Sequence, residues 1–150
     1  MSDRETVLCD SEATERHAAA RAAELRPGDQ VLLEGPLGAG KTTWVRGLVR
    51  ALGGDPEGVC SPTFVLLETY AVRANGIDRV HHADLYRLRG MASAPWDEVG
   101  LGEALDDSAA VTAIEWPEAW AWKASPGSRV LRVRLSVEGE ARRAVWAWRG

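Results

Sequence analysis

The sequence has no long run of apolar residues, and cysteine is scarce in it. None of its apolar runs reaches the roughly 18 residues that a membrane-spanning helix needs. The first residues, Met1–Glu5, carry charges of both signs and no apolar segment of the signal-peptide type. Cys9 and Cys60 are too few for a disulfide framework and are expected to be reduced thiols. These absences predict a cytoplasmic protein with no membrane contact.

The sequence also lacks the excess of basic residues that is typical of nucleic-acid-binding surfaces. Its 18 lysines and arginines are outnumbered by 22 aspartates and glutamates, so the net charge is −4. Because contacts to phosphate backbones need clustered cations, this balance argues against a chain that holds nucleic acid by itself. A length of 150 residues with 45% hydrophobic residues fits one soluble domain, residues 1–150.

The order of the predicted elements favours a mixed α/β fold. Ser11 is expected to cap a helix that runs to about Leu25, and the apolar run Val31–Leu33 predicts a strand buried on both faces. Further strands are predicted at 64–72, 77–83, 111–114, 130–135 and 143–148, and further helices at 44–52 and 98–105. We therefore expect a central, mostly parallel sheet with an antiparallel edge or hairpin and flanking helices.

A glycine-rich loop between the first buried strand and the next helix carries the strongest functional signal. It reads GPLGAGKT from Gly35 to Thr42, the spacing of a phosphate-binding P-loop. Its backbone N–H groups and the helix N-terminus are expected to bind phosphates, Lys41 to bridge the β- and γ-phosphates, and Thr42 to ligate magnesium. The residues expected to bind ATP here are Gly35, Leu37, Gly38, Ala39, Gly40, Lys41, Thr42 and Thr43.

A P-loop protein needs a further acid near the magnesium ion, usually at the end of a neighbouring buried strand. Asp84 and Glu115 both end such a strand. Position alone does not choose between them, because an acid at a strand end is often a helix cap or a solvated residue.

Four segments together are typical of one family. They read LEGPLGAGKTTWVRGL at 33–48, SPTF at 61–64, HADLYRL at 82–88 and IEWPE at 114–118. With these segments, in this order, the sequence resembles the bacterial TsaE family, the ATPase component of threonylcarbamoyladenosine modification at position 37 of tRNA. The likeness extends from Ser11 to the terminal strands, and it implies a single P-loop ATPase domain.

The resemblance implies specific roles for residues in these segments. Thr42 and Glu115 would ligate magnesium, and Asp84 would support ATP turnover by orienting water or through a water-mediated metal contact. Thr63 would lie in a switch-like loop near the γ-phosphate, with a catalytic role alongside Asp84 and Lys41. Trp116 would contribute to the nucleotide-binding face.

The resemblance also places Ser11 and Arg142 near the nucleotide, at its adenine end. Two features depart from the family pattern: Pro36 stands where the family usually has aspartate, and residues 90–97 are unlike the family's acidic stretch. For His82 and Tyr86 both a structural and a functional role remain open.

The function implied is slow ATP hydrolysis that sustains the turnover of a larger enzyme. Threonylcarbamoyl-transferase proteins of the TsaB and TsaD type would be the partners, and tRNA would be contacted only through that complex. No arginine finger in cis is evident from the sequence, so a partner would complete the site. A small-molecule kinase with Arg87 and Arg89 in a lid, and a nucleotide switch without hydrolysis, are the alternatives.

Overall fold

The computed structural model describes residues 3–60, 66–91, 100–119 and 128–149. Its strands are β1 (Arg4–Leu8), β2 (Gln30–Glu34), β3 (Leu67–Ala74), β4 (Ile77–Asp84), β5 (Ala110–Glu115), β6 (Val130–Glu138) and β7 (Ala141–Arg149). Its helices are α1 (Ser11–Ala22), α2 (Lys41–Ala51) and α3 (Leu101–Leu105), with 3-10 turns at Pro56–Gly58, Tyr86–Leu88 and Pro117–Ala119.

The seven strands form one sheet in the order β1-β7-β6-β2-β5-β4-β3. The four central strands, β6, β2, β5 and β4, are parallel, whereas β3 at one edge and β7 and β1 at the other are antiparallel to their neighbours. The mixed fold is therefore confirmed. The sheet has antiparallel pairing at both edges, β3 with β4 at one and β7 with β6 at the other. The strand β1, which the sequence patterns did not predict, extends the second edge by pairing with β7.

Several element boundaries differ from those predicted. Asp10, rather than Ser11, is the N-cap of α1, and its carboxylate accepts a hydrogen bond from the Ala13 N–H at 2.8 Å. Aspartate and serine are both good N-cap residues, so the sequence pattern did not distinguish Asp10 from Ser11. The helix ends at Ala22, three residues before Leu25. The predicted starts of the strand at 64–72 and of the helix at 98–105 lie outside the described residues.

Each face of the sheet buries an apolar layer. On one face, α1 and α2 pack over β2, β5 and β6, with Trp44, Leu48 and Leu33 fully buried. Close packing of the two helices depends on Gly47, where an added Cβ would lie 2.6 Å from the Glu15 backbone. On the opposite face, Leu101 of α3 joins a second apolar cluster over β2, β4 and β5.

This topology determines where the polar side chains at the strand ends meet. Glu115 pairs in register with Leu33 of β2 on one side and with Asp84 of β4 on the other. Because parallel strands end at the same edge of a sheet, both acids lie beside the loop that follows β2. In the described part of the chain, no helix has the length and apolarity needed to cross a membrane.

Candidate nucleotide site

The loop between β2 and α2 takes backbone conformations that favour glycine. Gly35, Gly38 and Gly40 have φ of 144°, 78° and 103°, and Gly40 directly precedes the first turn of α2. At Gly35 the space is closed as well, since an added Cβ would lie 2.2 Å from the Leu135 carbonyl oxygen. The loop therefore packs tightly on β6 and leads into the N-terminal end of α2, where unpaired N–H groups favour anions.

The Lys41 ammonium is folded back onto the loop. Its Nζ donates to the carbonyl oxygens of Gly35, at 2.5 Å, and of Pro36, at 2.9 Å. Burial lowers the pKa of Lys41, and the negative charges of Glu115, Asp84 and Glu118 oppose that shift. The two loop contacts are to neutral acceptors, so an anionic phosphate oxygen would be a stronger acceptor for this cation.

Thr42 and Glu115 meet at the floor of the site. The Thr42 hydroxyl donates to Glu115 Oε2 at 3.0 Å, and Glu115 is 3% exposed. Two ligands on adjacent vertices of an octahedron, each 2.0–2.1 Å from Mg²⁺, are about 2.9 Å apart. The two oxygens are thus spaced as neighbouring ligands of one magnesium ion would be, and hydroxyl and carboxylate oxygens are ligands that this hard cation prefers.

Asp84 ends β4 beside Glu115. Its Oδ1 accepts a hydrogen bond from the Tyr86 N–H at 3.0 Å, an Asx-type contact that begins the turn at Tyr86–Leu88. The side chain is half-buried and lines the same cavity as Lys41 and Thr42. The carboxylate therefore has a local structural contact and also faces the space next to the P-loop.

Trp116 forms one wall of this cavity. It has φ of 59°, which is uncommon for a bulky residue and is found most often where a site constrains the backbone. Its ring contacts Tyr86 edge-on, with 5.0 Å between ring centroids, and Arg89 stacks 3.7 Å from the Tyr86 ring. The HADLYRL segment and the residue after Glu115 thus pack against each other at the rim of the site.

The residues predicted for the site mostly meet in one place. A cavity of about 260 Å³ is lined by Leu37, Gly38, Gly40, Lys41, Thr42, Thr43, Asp84, Glu115 and Trp116. Gly35 and Ala39 belong to the same loop but are not among the residues that line this cavity, and Ala39 is fully buried. Pro36 is exposed, as expected of a side chain that points away from the phosphates. Thr63 lies outside the described residues.

A second cavity of about 160 Å³ adjoins the first, since both are lined by Gly38, Gly40 and Thr43. Ser11 and Arg142 line it, and Arg142 Nε donates to the Gly38 carbonyl oxygen at 3.2 Å. The two residues placed at the adenine end by resemblance therefore lie beside the P-loop, next to the phosphate cavity.

The sequence patterns missed several residues of these cavities. Asp10 and Thr14 line the second cavity from the start of α1, where no motif marks them. His82, left open between structure and function, lies fully buried with its Nε2 2.6 Å from Glu115 Oε2. Its place in the HADLYRL segment was a signal, but the contact to Glu115 depends on strand pairing.

Comparison with known proteins assigns this arrangement to one family. The sequence profile of "Threonylcarbamoyl adenosine biosynthesis protein TsaE" matches residues 8–145. The chain is 42% identical over 118 residues to a protein of Rickettsia bellii named tRNA threonylcarbamoyladenosine biosynthesis protein TsaE, covering 79% of this chain and 77% of that one. A protein of the same name from Mycobacterium bovis is 38% identical over 130 residues, covering 83% and 75% of the two chains.

A solved structure has the same fold. The crystal structure of YdiB from Bacillus subtilis superposes with a TM-score of 0.68 at 24% sequence identity, covering 97% of this chain and 84% of that one. At this identity the likeness supports the P-loop architecture of the sheet and helices, and nothing about activity.

Proposed function

The chain belongs to the TsaE family, and from that premise we propose that it binds ATP with magnesium and hydrolyses it slowly in support of threonylcarbamoyladenosine modification of tRNA. The observation that carries this proposal is the meeting of Lys41, Thr42, Asp84 and Glu115 around one cavity at the carboxyl ends of β2, β4 and β5. These residues supply suitable groups to bind the phosphates of a nucleoside triphosphate, a divalent cation and a water molecule.

Each residue has a definite task in the proposed site. The loop N–H groups and the start of α2 bind the phosphates, and the Lys41 ammonium moves from the Gly35 and Pro36 carbonyls to the β- and γ-phosphate oxygens. Thr42 and Glu115 would hold magnesium, which supplies positive charge that offsets the phosphate charge. Asp84 orients the attacking water, which adds to the γ-phosphorus as the bond to the β-γ bridging oxygen breaks and yields ADP, phosphate and a proton.

Slow turnover and dependence on a partner are parts of the same proposal. Arg89, an arginine at the Trp116 wall, is stacked on Tyr86 and donates from Nε to the Tyr86 carbonyl at 2.9 Å. In this conformation its guanidinium contacts Tyr86 at the rim of the site and does not supply the positive charge with which an arginine finger stabilises the transition state. Cytoplasmic transferase proteins of the TsaB and TsaD type are the proposed partners, with tRNA contacted through that complex.

The stacking of Arg89 also bears on the kinase alternative. A small-molecule kinase needs arginines on a segment that closes over the phosphates. Arg89 is instead engaged with Tyr86 and, at 5.0 Å, with the Trp116 ring. We therefore favour water over a small-molecule acceptor as the group that receives the phosphoryl.

The decisive experiment substitutes Asp84. Asp84→Ala and Asp84→Asn leave the P-loop and Lys41 in place, so ATP should bind with nearly wild-type affinity. Hydrolysis should fall by a factor on the order of 10² in both variants. Asparagine keeps an acceptor oxygen for the Tyr86 N–H, so it controls for loss of that turn.

The readout is tRNA adenosine modification in a reconstituted mixture with the transferase proteins, followed over many turnovers. We expect both Asp84 variants to stall after limited modification. Sustained modification at the wild-type rate would mean that hydrolysis is not what this protein contributes. Phosphate transfer to an added small-molecule acceptor by the wild type would instead favour the kinase.

A further inference from the structure

A chain of buried and partly buried hydrogen bonds connects three neighbouring strands next to the proposed metal site. Tyr70 of β3 has its hydroxyl 3.0 Å from His82 Nδ1, and His82 Nε2 lies 2.6 Å from Glu115 Oε2. The His82 side chain is fully buried, and that of Glu115 is 4% exposed. Glu115 Oε2 is also the atom that accepts from the Thr42 hydroxyl, so two donors approach the same oxygen from different elements.

The chemistry of the partners determines where the imidazole proton lies. An ionised carboxylate only accepts hydrogen bonds, so Nε2 of His82 carries the hydrogen that it donates to Glu115. In the neutral ring, Nδ1 is then an acceptor, and the Tyr70 hydroxyl is its donor. The other acceptor near that hydroxyl, the Cys60 carbonyl oxygen, is farther away at 3.4 Å. Burial raises the pKa of Tyr70 to about 12, which keeps the hydroxyl protonated.

We propose that His82 is a positioning residue that fixes the orientation of the Glu115 carboxylate, and that Tyr70 fixes the ring of His82; this role rests on the proposed assignment of Glu115 as a magnesium ligand. A carboxylate on a flexible side chain must lose rotational freedom to bind a cation, and a buried donor that holds it beforehand removes that cost. Unlike Thr42, His82 is fully buried and is not among the residues that line the cavity, so it is placed to hold the carboxylate rather than to bind the ion.

A purely structural histidine makes a different forecast. If His82 only fills space between β3 and β5, its substitution should change stability and affect nucleotide binding with and without magnesium alike. A positioning residue should instead change the gain in affinity that magnesium provides. The useful quantity is therefore the ratio of the ADP dissociation constants measured in EDTA and in magnesium, which calorimetry gives without any turnover.

The neighbouring residue supplies a matched control. His81 lies on the same strand, faces the opposite side of the sheet and also contacts a carboxylate, with its Nε2 2.8 Å from Asp107 Oδ2. Its ring nitrogens contact Thr69 and Asp107, and neither of these residues lines the P-loop cavity. His81→Asn thus repeats the chemical change without touching the proposed metal site.

Two substitutions at His82 separate the effect of the donor atom's position from the effect of losing the ring volume. The amide nitrogen of glutamine lies about as far from Cβ as imidazole Nε2, whereas that of asparagine reaches only to the place of Nδ1. We expect His82→Asn to lower the ratio by about 10- to 100-fold, which is the usual effect of losing a residue that hydrogen-bonds to a metal ligand. The ADP dissociation constant in EDTA should change little. His82→Gln should keep the ratio within about threefold of wild type, and His81→Asn should leave it unchanged.

Equal ratios in wild type and His82→Asn, or an equal fall with asparagine and glutamine, would overturn the inference. Tyr70→Phe keeps the imidazole and removes only the hydroxyl, so it tests the chain even if His82→Asn fails to fold. Its ratio should fall severalfold, and an unchanged ratio would count against the inference. A wild-type ratio of one would refute the proposed magnesium site itself, a result that is distinguishable from failure of the variants alone.

Discussion

The Lys41 ammonium lies 4.3 Å from the centroid of the Trp116 ring while it donates to two carbonyls of its own loop. The negative face of an indole attracts a cation, so Trp116 adds to the contacts that hold Lys41 in the cavity. The residue before Trp116 is Glu115, which contacts Thr42. One short segment therefore touches both the proposed phosphate-binding lysine and the proposed metal ligands.

The first prediction concerns Lys41 itself. Lys41→Met keeps the length of the side chain and removes the charge, so ADP and ATP affinity should fall by a factor on the order of 10². Because burial disfavours the ammonium, as its lowered pKa indicates, the free energy of unfolding should change by no more than about 1 kcal/mol. Calorimetric titration and urea unfolding measure the two quantities. Wild-type affinity in Lys41→Met would contradict the P-loop assignment.

A second prediction tests the metal ligands. Thr42→Ala and Glu115→Ala each remove an oxygen from the pair that is 3.0 Å apart, so each should abolish magnesium-dependent hydrolysis. ADP affinity in EDTA should change far less than that. Hydrolysis is measured as phosphate release over a magnesium titration. Normal magnesium-dependent turnover in Glu115→Ala would move the metal acid to Asp84.

The third prediction concerns the closed space under the loop. Gly35→Ala places a Cβ against the Leu135 carbonyl in a left-handed conformation, so the loop or β6 has to shift. We expect a loss of several kcal/mol in the free energy of unfolding, together with lost nucleotide binding. Gly102→Ala is the control, because Gly102 lies in α3 with nothing within 4 Å of an added Cβ, and it should stabilise by about 0.5–1 kcal/mol. Equal stability of the two variants would show that the loop tolerates the extra atom.

The fourth prediction concerns pH and His17. Burial, and then the nearby charge of Arg21, lower the pKa of His17 from 6.5 to about 4. Between those values the unfolded chain binds more protons than the folded chain. The stability that the neutral His17 contributes to the folded state is therefore fully present above pH 6.5 and is lost as the pH falls toward 4. By pH 4 the loss should be roughly 3 kcal/mol, since one pKa unit corresponds to about 1.4 kcal/mol.

His17→Asn provides the comparison for this pH dependence. The asparagine side-chain oxygen, which reaches the place of Nδ1, can still accept the hydrogen bond that Trp44 Nε1 donates to His17 Nδ1 at 2.9 Å, but it does not titrate. Urea unfolding of both proteins from pH 7 to pH 4 should therefore give a shallower decline for the variant. Parallel curves would mean that His17 is not the group responsible.

The fifth prediction concerns tRNA. Three arginines of β6 and β7 are paired with carboxylates: Arg132 and Arg134 with Glu34, and Arg143 with Glu138 at 2.7 Å. With a net charge of −4 as well, the isolated protein should bind tRNA with a Kd no better than roughly 10⁻⁴–10⁻⁶ M at physiological salt. A filter-binding titration measures it. Sub-micromolar, sequence-selective binding would contradict a role confined to the complex.

Local patterns were enough for much of the fold. The run at Val31–Leu33, the helix after the P-loop and the turn at Asn75–Gly76 were all predicted and confirmed, because apolar spacing and turn chemistry act over a few residues. Sequence patterns failed where the local structure depends on residues far away in the sequence. The strand β1 is mostly exposed and has no period-two alternation of apolar residues, and it forms a strand because it pairs with β7.

The sequence by itself determined the chemistry of the loop, since the spacing of Gly35, Gly40, Lys41 and Thr42 is a property of eight consecutive residues. Only the tertiary structure shows which of the two strand-end acids contacts Thr42. Glu115 and Asp84 look alike as strand-end acids, but strand pairing places Glu115 against the Thr42 hydroxyl and leaves Asp84 one strand farther out. The same pairing brings His82 onto Glu115 across 33 residues of chain, a contact that no local pattern encodes.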